Sequence, residues 1–390
     1  MTFVELFFDL VFVFAVTQLS HGLLNHLTPL GALQTAVLML AMWWVWIDTA
    51  WCTNWLDPEK PLPRLLLFGL MLGGLVFAAA VPKAFESRAL IFALAYVAMH
   101  LGRDVFMLCA LRGPSPGNFR NFVRITLWHL ALAPLWIAGA FVDDTTRLWL
   151  WALAVAIETS APLLYFWVPG MGASSTTDWD VEGGHMAERC GLFVIIALGE
   201  SIVITGATFA ELNWDSATVA AFIAAFAGSV AMWAVYFNVG AERGSRLIAT
   251  SEDPGRLARS GYTYLHVLII AGIIVAAVGD EIALHHPHGH TEPVAAAVIL
   301  GGPALYLIGN AFFKWLSAPY MPLSHQIGLA GLALLAPFSP TMSPPALVAG
   351  ATAVLIGVAV WEWWSFRPAK EAPRAGRKMS TKSRKRNARA

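Results

Sequence analysis

Charged and imidazole side chains recur inside long apolar runs of this chain, and their placement is its first sign of chemistry. Glu5 and Asp9 stand four residues apart, on one face of a helix. Asp48 lies toward the end of a second run, and Asn238 holds the same place in a later one. His100, Arg103 and Asp104 share a face at spacings of three and four. Glu188 and Arg189 open a further run that carries Glu200 and Ser201 deeper in, and Glu158 lies similarly deep in another. An ionisable group at the centre of a membrane span costs at least about 2.5 to 3.5 kcal/mol on insertion scales, so each such residue is a candidate for ion binding or proton relay. The reading expects one charged cluster on the cytoplasmic side, with Arg103 and Arg189 neutralising some of its carboxylates. The alternative is an ion-pair network that only pins helices together. Glu158 and Glu200 have no basic neighbour on their own helices and suit proton coupling; the alternative for each is a neutral acid hydrogen-bonded to a neighbouring helix. His129 and His266, alone on apolar faces, read as satisfied core histidines.

His285, His286, His288 and His290 crowd one short segment beside Asp280, Glu281 and Glu292. Such a mixture can bind zinc, nickel or copper, though the spacing matches no defined metal motif and a His-rich surface loop is the alternative. No phosphate loop, nucleophile elbow or His-Glu-x-x-His appears, so no catalytic residue and no cofactor is expected, and the chain does not read as an enzyme.

The elements that position these groups follow from composition. Of 390 residues, 57% are hydrophobic and 13% charged, too apolar for a soluble globule. The fold class expected is all-α, a polytopic transmembrane bundle with the bilayer as main partner. A span needs about 20 mainly apolar residues. That length predicts about twelve, at 4–22, 31–51, 64–82, 88–110, 120–141, 147–168, 186–208, 216–239, 261–283, 294–316, 325–338 and 345–366, the eleventh short and interrupted by Pro337 and Pro340. The three cysteines are widely spaced and read as packing residues. No cleavable leader is visible before Glu5, so the first helix is expected to remain in the membrane. Trp43, Trp44, Trp46, Trp51 and Trp55, like Trp361, Trp363 and Trp364, read as interfacial anchors.

Positive charge orients the bundle. With both termini cytoplasmic, inner loops receive Lys60, Arg64, Arg112, Arg120, Arg124, Arg243, Arg246, Arg256, Arg259 and Lys314, while outer loops keep only Lys83, Arg88 and Arg147. The basic stretch 367–390 reads as a disordered cytoplasmic tail that meets anionic lipid headgroups, with no specific nucleic acid partner.

The halves resemble each other. The run from Ala41 to Asp48 pairs with that from Ala231 to Asn238, and Gly74 to Ala79 pairs with Gly272 to Ala277. Glu5 then falls opposite Glu188, Gly102 opposite Gly309, and Glu158 opposite Glu362. This predicts two parallel six-helix repeats, 1–170 and 171–366, followed by the tail.

The segments from Glu5 to Ala15 and from Glu188 to Ile202 resemble the two signatures of the bacterial low temperature requirement A family, with similarity over nearly the whole chain before the tail. The resemblance implies a multi-pass plasma-membrane (inner-membrane) protein linked to growth in the cold, with no settled reaction. It marks Glu5, Asp9, Glu188, Arg189, Glu200 and Ser201 as family-typical. The function expected is a proton-linked secondary transporter of a small solute or ion, with Glu200, Glu158 or the Glu5/Glu188 pair carrying the proton. The alternatives are an ion channel, or a membrane-embedded enzyme or structural factor in cold adaptation.

Overall fold

The computed structural model describes residues 1–113, 115–174, 183–238, 254–316 and 320–365, and these are almost wholly helical. The tail 367–390, Arg243 and Arg246 lie outside the described residues. The helices are α1 (Phe3–Asn25), α2 (Pro29–Thr53), α3 (Pro61–Ala80), α4 (Ala89–Leu111), α5 (Pro116–Gly139), α6 (Asp144–Ser160), α7 (Gly183–Glu211) and α8 (Ser216–Phe237). A helical turn Pro254–Ala258 and a π-helical turn Arg259–Leu265 lead into α9 (His266–His285), followed by α10 (Pro293–Trp315), α11 (Leu323–Leu335) and α12 (Pro344–Ser365).

Their starts have local causes. Thr2 and Thr28 accept backbone N–H bonds at the starts of α1 and α2, and Asp143 and Asp215 do so for α6 and α8. Proline sits in the first turn of α2, α3, α5 and α10, where its missing N–H goes unmissed. Bonds from the side chain and backbone of Thr146 hold the Asp143 carboxyl below the usual carboxylate range, so this cap survives mild acid and is lost only as pH falls through that lowered value.

Among the described residues, ten helices are long and apolar enough to cross a membrane. The two that fall short are α6, of 17 residues, and α11, of 13, which continues as a 3-10 turn Ala336–Thr341. The outward faces are apolar: Leu72 is 67% exposed and Val203 69%, while Arg103 and Arg189 are at 1% and 0%. This inversion is that of a protein whose solvent is lipid.

The sixth segment ends earlier than expected. Pro162 stops α6, and the chain turns through Tyr165 and Phe166, both at positive φ (52° and 49°), where the span was expected to run to 168. Arg259 holds this turn, donating to the Pro162 carbonyl (2.7 Å) with its guanidinium 4.6 Å over the Tyr165 ring.

Each half is assembled in the same order of neighbours. In the first, α1 packs on α2 and α3, α3 on α4, α4 on α5, α5 on α6, and α6 returns to α2. In the second, α7 packs on α8 and α9, α9 on α10, α10 on α11, α11 on α12, and α12 returns to α8. The halves meet where α1 lies against α7 and α9. The α1–α7 contact is parallel and in constant register, since Glu5–His185, Asp9–Arg189 and Ser20–Glu200 all pair residues 180 apart.

The α9–α10 contact is the tightest because glycines line it. A Cβ on Gly272 would overlap the Tyr306 backbone, and one on Gly302 the Ala276 backbone, whereas Gly301 faces open space. Gly272→Ala or Gly302→Ala is expected to cost about 1–3 kcal/mol by overpacking, and Gly301→Ala nearly nothing. Thermal unfolding in detergent checks this, and equal melting of Gly302→Ala and Gly301→Ala would refute it.

Candidate functional site

The single cluster expected from sequence is divided into separate sites. The first lies between the halves. Asp9, fully buried, accepts from Arg189 Nη2 (2.9 Å) and Trp46 Nε1 (2.8 Å). Arg189 is sandwiched between the rings of Phe8 and Trp46, 5.8 and 5.6 Å away. Glu5 meets His185 Nε2 (2.7 Å) and also accepts from the Thr2 backbone in the α1 capping box. Glu188 stays at the surface, 62% exposed, against the Met1 amino group. Apart from Glu188, this site is closed, a clasp between α1 and α7 in which Asp9 Oδ2, His185 Nδ1 and Arg189 Nε and Nη1 have no hydrogen-bond partner among the described residues.

The tryptophans at the end of α2 serve the interior, not the expected belt. Trp43 and Trp46 are fully buried and Trp44 nearly so. Trp43 Nε1 donates to the Thr263 carbonyl (2.8 Å) and Trp51 Nε1 to the Thr263 hydroxyl (2.9 Å). The π turn supplies these acceptors, because its altered pattern of backbone bonding also lets Gly261 O accept from His266 Nδ1 (2.8 Å). With Tyr236 OH on its other nitrogen (2.7 Å), His266 is the satisfied core histidine expected. Trp361, Trp363 and Trp364 are exposed, as interfacial anchors would be.

The second site is inside the first half and is the richest. Arg103 Nη2 donates to Asp48 Oδ2 (3.1 Å) and His100 Nδ1 (2.9 Å), while Nη1 reaches toward the Val45 carbonyl and Thr49 hydroxyl. His129 belongs here and not to an apolar core: its Nδ1 is 2.6 Å from Asp104 Oδ2. Its Nε2 faces Asp48 Oδ2 and Glu158 Oε1, each at 3.6 Å. Glu158 is neither deep nor unpaired. It sits in the last turn of α6, level with Asp48, accepts from Tyr96 OH (2.6 Å) and lies 3.8 Å from His100 Nε2.

Two cavities flank this site. One of about 690 Å³ has Asp48, Arg103 and Asp104 on its wall with Trp51, Trp55, Tyr165 and Arg259 around them. The other, about 200 Å³, touches Tyr96, His100, His129 and Glu158 from the far side. At the opposite ends of α2 and α6, a third cavity of about 640 Å³ is lined by Gln18, His26, Gln34, Glu86 and Asp144. Trp43, Trp46, Trp136 and Trp151 are fully buried and line none of the three cavities, except that Trp136 touches the 200 Å³ one.

The second half holds a counterpart that sequence reading missed. Lys314 Nζ donates to Glu362 Oε2 (2.6 Å) and the Val235 carbonyl (2.8 Å). His325 Nδ1 lies 3.4 Å from Glu362 Oε1, and the Ser324 hydroxyl completes the group. The signal was available: Glu362 already aligned with Glu158, and His325 and His129 each face that glutamate from the preceding helix.

Glu200 stands apart, its Oε1 accepting from Ser20 (3.2 Å) and its Oε2 without a hydrogen-bond partner. Among the described residues no cation is within ion-pair distance of it. Ser201 is fully buried and its hydroxyl has no hydrogen-bond partner, while Asn238 is exposed at the end of α8 and joins none of these sites. The four loop histidines are not gathered: His285 bonds back to the Glu281 carbonyl, and His288, 73% exposed, faces Asp215. Among the described residues, the one group of three side chains placed to hold a metal ion is Asp48, His100 and His129.

Residues 1–360 match the Bacterial low temperature requirement A protein (LtrA) family. The chain belongs to that family. An uncharacterised protein of Rhizobium meliloti (strain 1021) is 41% identical over 367 residues, covering 94% of this chain and 90% of the relative. No solved structure matches. Apart from Glu362, the residues of these sites lie within the LtrA-matched region, and family membership itself supplies no reaction.

Proposed function

We propose that this LtrA family protein is a secondary transporter of a small solute or ion, loaded at the Asp48/Arg103/His129 site and coupled to protonation of Glu200. The observation that carries the reading is the pair of cavities at opposite ends of α2 and α6, one reaching the ionisable site and sharing no lining residue with the other. A channel needs a continuous pore, whereas two separate vestibules suit alternating access. Glu200 suits the coupling role because its partner is a hydroxyl, which can accompany either form of the carboxyl.

The halves act as two parallel six-helix repeats. The matching order of helix neighbours and the in-register α1–α7 contact favour this division. Both termini lie in the cytoplasm of an inner membrane, because Lys60, Arg64, Arg112 and Arg120 cluster at the end where α1 begins. At the other end, Arg147 is spent on structure, bonding the Gly139, Phe85 and Val142 carbonyls.

Proteoliposomes with an internal pH-sensitive dye test the transport reading when challenged with solute and ion pools. Solute-dependent proton movement is expected, falling at least about tenfold in Glu200→Gln, which loses the only exchangeable acid proton at that position. Unchanged flux in the variant would remove the proton role. Unitary current steps in a planar bilayer would instead make the protein a channel.

A further inference from the structure

We infer that Asp48, His100 and His129 form a binding site for one divalent transition-metal ion, with Glu158 beside it. Ligand atoms of these three residues lie within 4.8 Å of one another. His129 Nε2 is 3.6 Å from both Asp48 Oδ2 and Glu158 Oε1, and His100 Nε2 is 3.8 Å from Glu158 Oε1. Ligands on a tetrahedral ion with bonds of about 2.0–2.1 Å are separated by about 3.3 Å, so the three side chains, now within 4.8 Å of one another, draw together to close on an ion.

Three further features point to a cation. His100, 2% exposed, has no hydrogen-bond partner for its Nε2, which faces Glu158. His129 already has the outer support that ligating histidines use: Asp104 holds its Nδ1 at 2.6 Å and leaves Nε2 pointing inward. Asp48 and Asp104 share the single guanidinium of Arg103, while Glu158 faces the two imidazoles.

The second half shows what fills such a place when the chain supplies its own cation. There Lys314 Nζ sits 2.6 Å from Glu362 beside His325. Counting from the paired Gly102 and Gly309, the residue in the Lys314 position of the first half is Met107, which offers no charge. Arg103 does not substitute for it at Glu158, because its Nη2 is committed to Asp48 and His100. When the ion binds, this guanidinium turns from His100 to Asp104 Oδ1, which lacks a hydrogen-bond partner and lies 3.6 Å away. His100 is then free to carry its proton on Nδ1 and its lone pair on Nε2. Two imidazoles and a carboxylate, with no thiolate, suit zinc, iron, cobalt or manganese, and the vestibule at Asp48 is the entry.

The site deepens the transport reading by naming a cargo class, yet it is an equilibrium binding site and stands whether or not the ion is carried. The test uses full-length protein in detergent, stripped with chelator and titrated with Zn²⁺, with Co²⁺ as optical reporter. One ion per chain is expected, with affinity at least about 100-fold lower in His100→Ala/His129→Ala and ten- to hundredfold lower in Asp104→Asn. Alanine at His285, His286, His288 and His290 together leaves that ion in place. Wild-type protein that binds no ion, or unchanged binding in the double variant, overturns the site. If the double variant does not fold, X-ray absorption of zinc on the wild-type chain decides, since a shell without two imidazoles also overturns it. Binding without Zn²⁺ movement in proteoliposomes sinks zinc as cargo and leaves the site intact.

Discussion

Arg189→Met is expected to destabilise the protein by about 3–5 kcal/mol, the range for breaking a buried ion pair from one side. The arginine is fully buried, and its loss strands Asp9, also fully buried, with the Trp46 indole as its one remaining donor. It also removes the cation between Phe8 and Trp46, so the α1–α7 clasp loses its charge and its filling together. Thermal unfolding of detergent-solubilised protein, followed by size-exclusion fluorescence, reads the effect. Asp9→Leu/Arg189→Met should recover most of the loss, because an apolar pair of similar volume leaves no charge in the interior. A single variant that melts with the wild type would show that the pair contributes no stability.

Lys314→Met is the second large effect, and for a related reason. It leaves Glu362, 2% exposed, with only the Ser324 hydroxyl and His325 at 3.4 Å, and a loss of about 3–5 kcal/mol is again expected. Adding Glu362→Gln should restore much of it by removing the stranded charge. In the first half Glu158→Gln is expected to change stability by only about 1 kcal/mol, since the amide oxygen can still accept from Tyr96. The contrast separates a structural ion pair in one half from an open site in the other. Comparable losses in Lys314→Met and Glu158→Gln would erase that distinction.

The two halves also show how far sequence reading reached. Asp48, His100, Arg103 and Asp104 were identified together because helical spacing places the last three on one face and their depth matches that of Asp48. His129 was set aside because its own helix neighbours are apolar; only packing of α5 against α4 reveals Asp104 opposite its Nδ1. Glu158 was placed too deep because hydropathy carried α6 to 168. Pro162 ends the helix eight residues earlier, which moves the carboxyl to the level of Asp48. Trp43 and Trp46 were assigned to the interface from their nearness to a helix end, yet their indoles brace the junction with α1 and the π turn. Lys314 gave little warning, since a lysine near a helix end usually snorkels to water, and here Glu362 and the Val235 carbonyl hold it inside.

Sequence by itself determined that the chain lives in a membrane, where nearly every helix lies, and most of the polar residues buried there. The physical reason is that lipid offers no hydrogen bonds, so long apolar runs must become helices and any charge within them must find a partner. Which partner each charge finds was decided only by the tertiary structure, because a hydropathy window records depth and is blind to rotation about the helix axis. Packing turned Asp9 toward Arg189, Lys314 toward Glu362, and His100 and His129 toward Glu158, so that what reads as one charged layer became two closed pairs and one site with room for a cation.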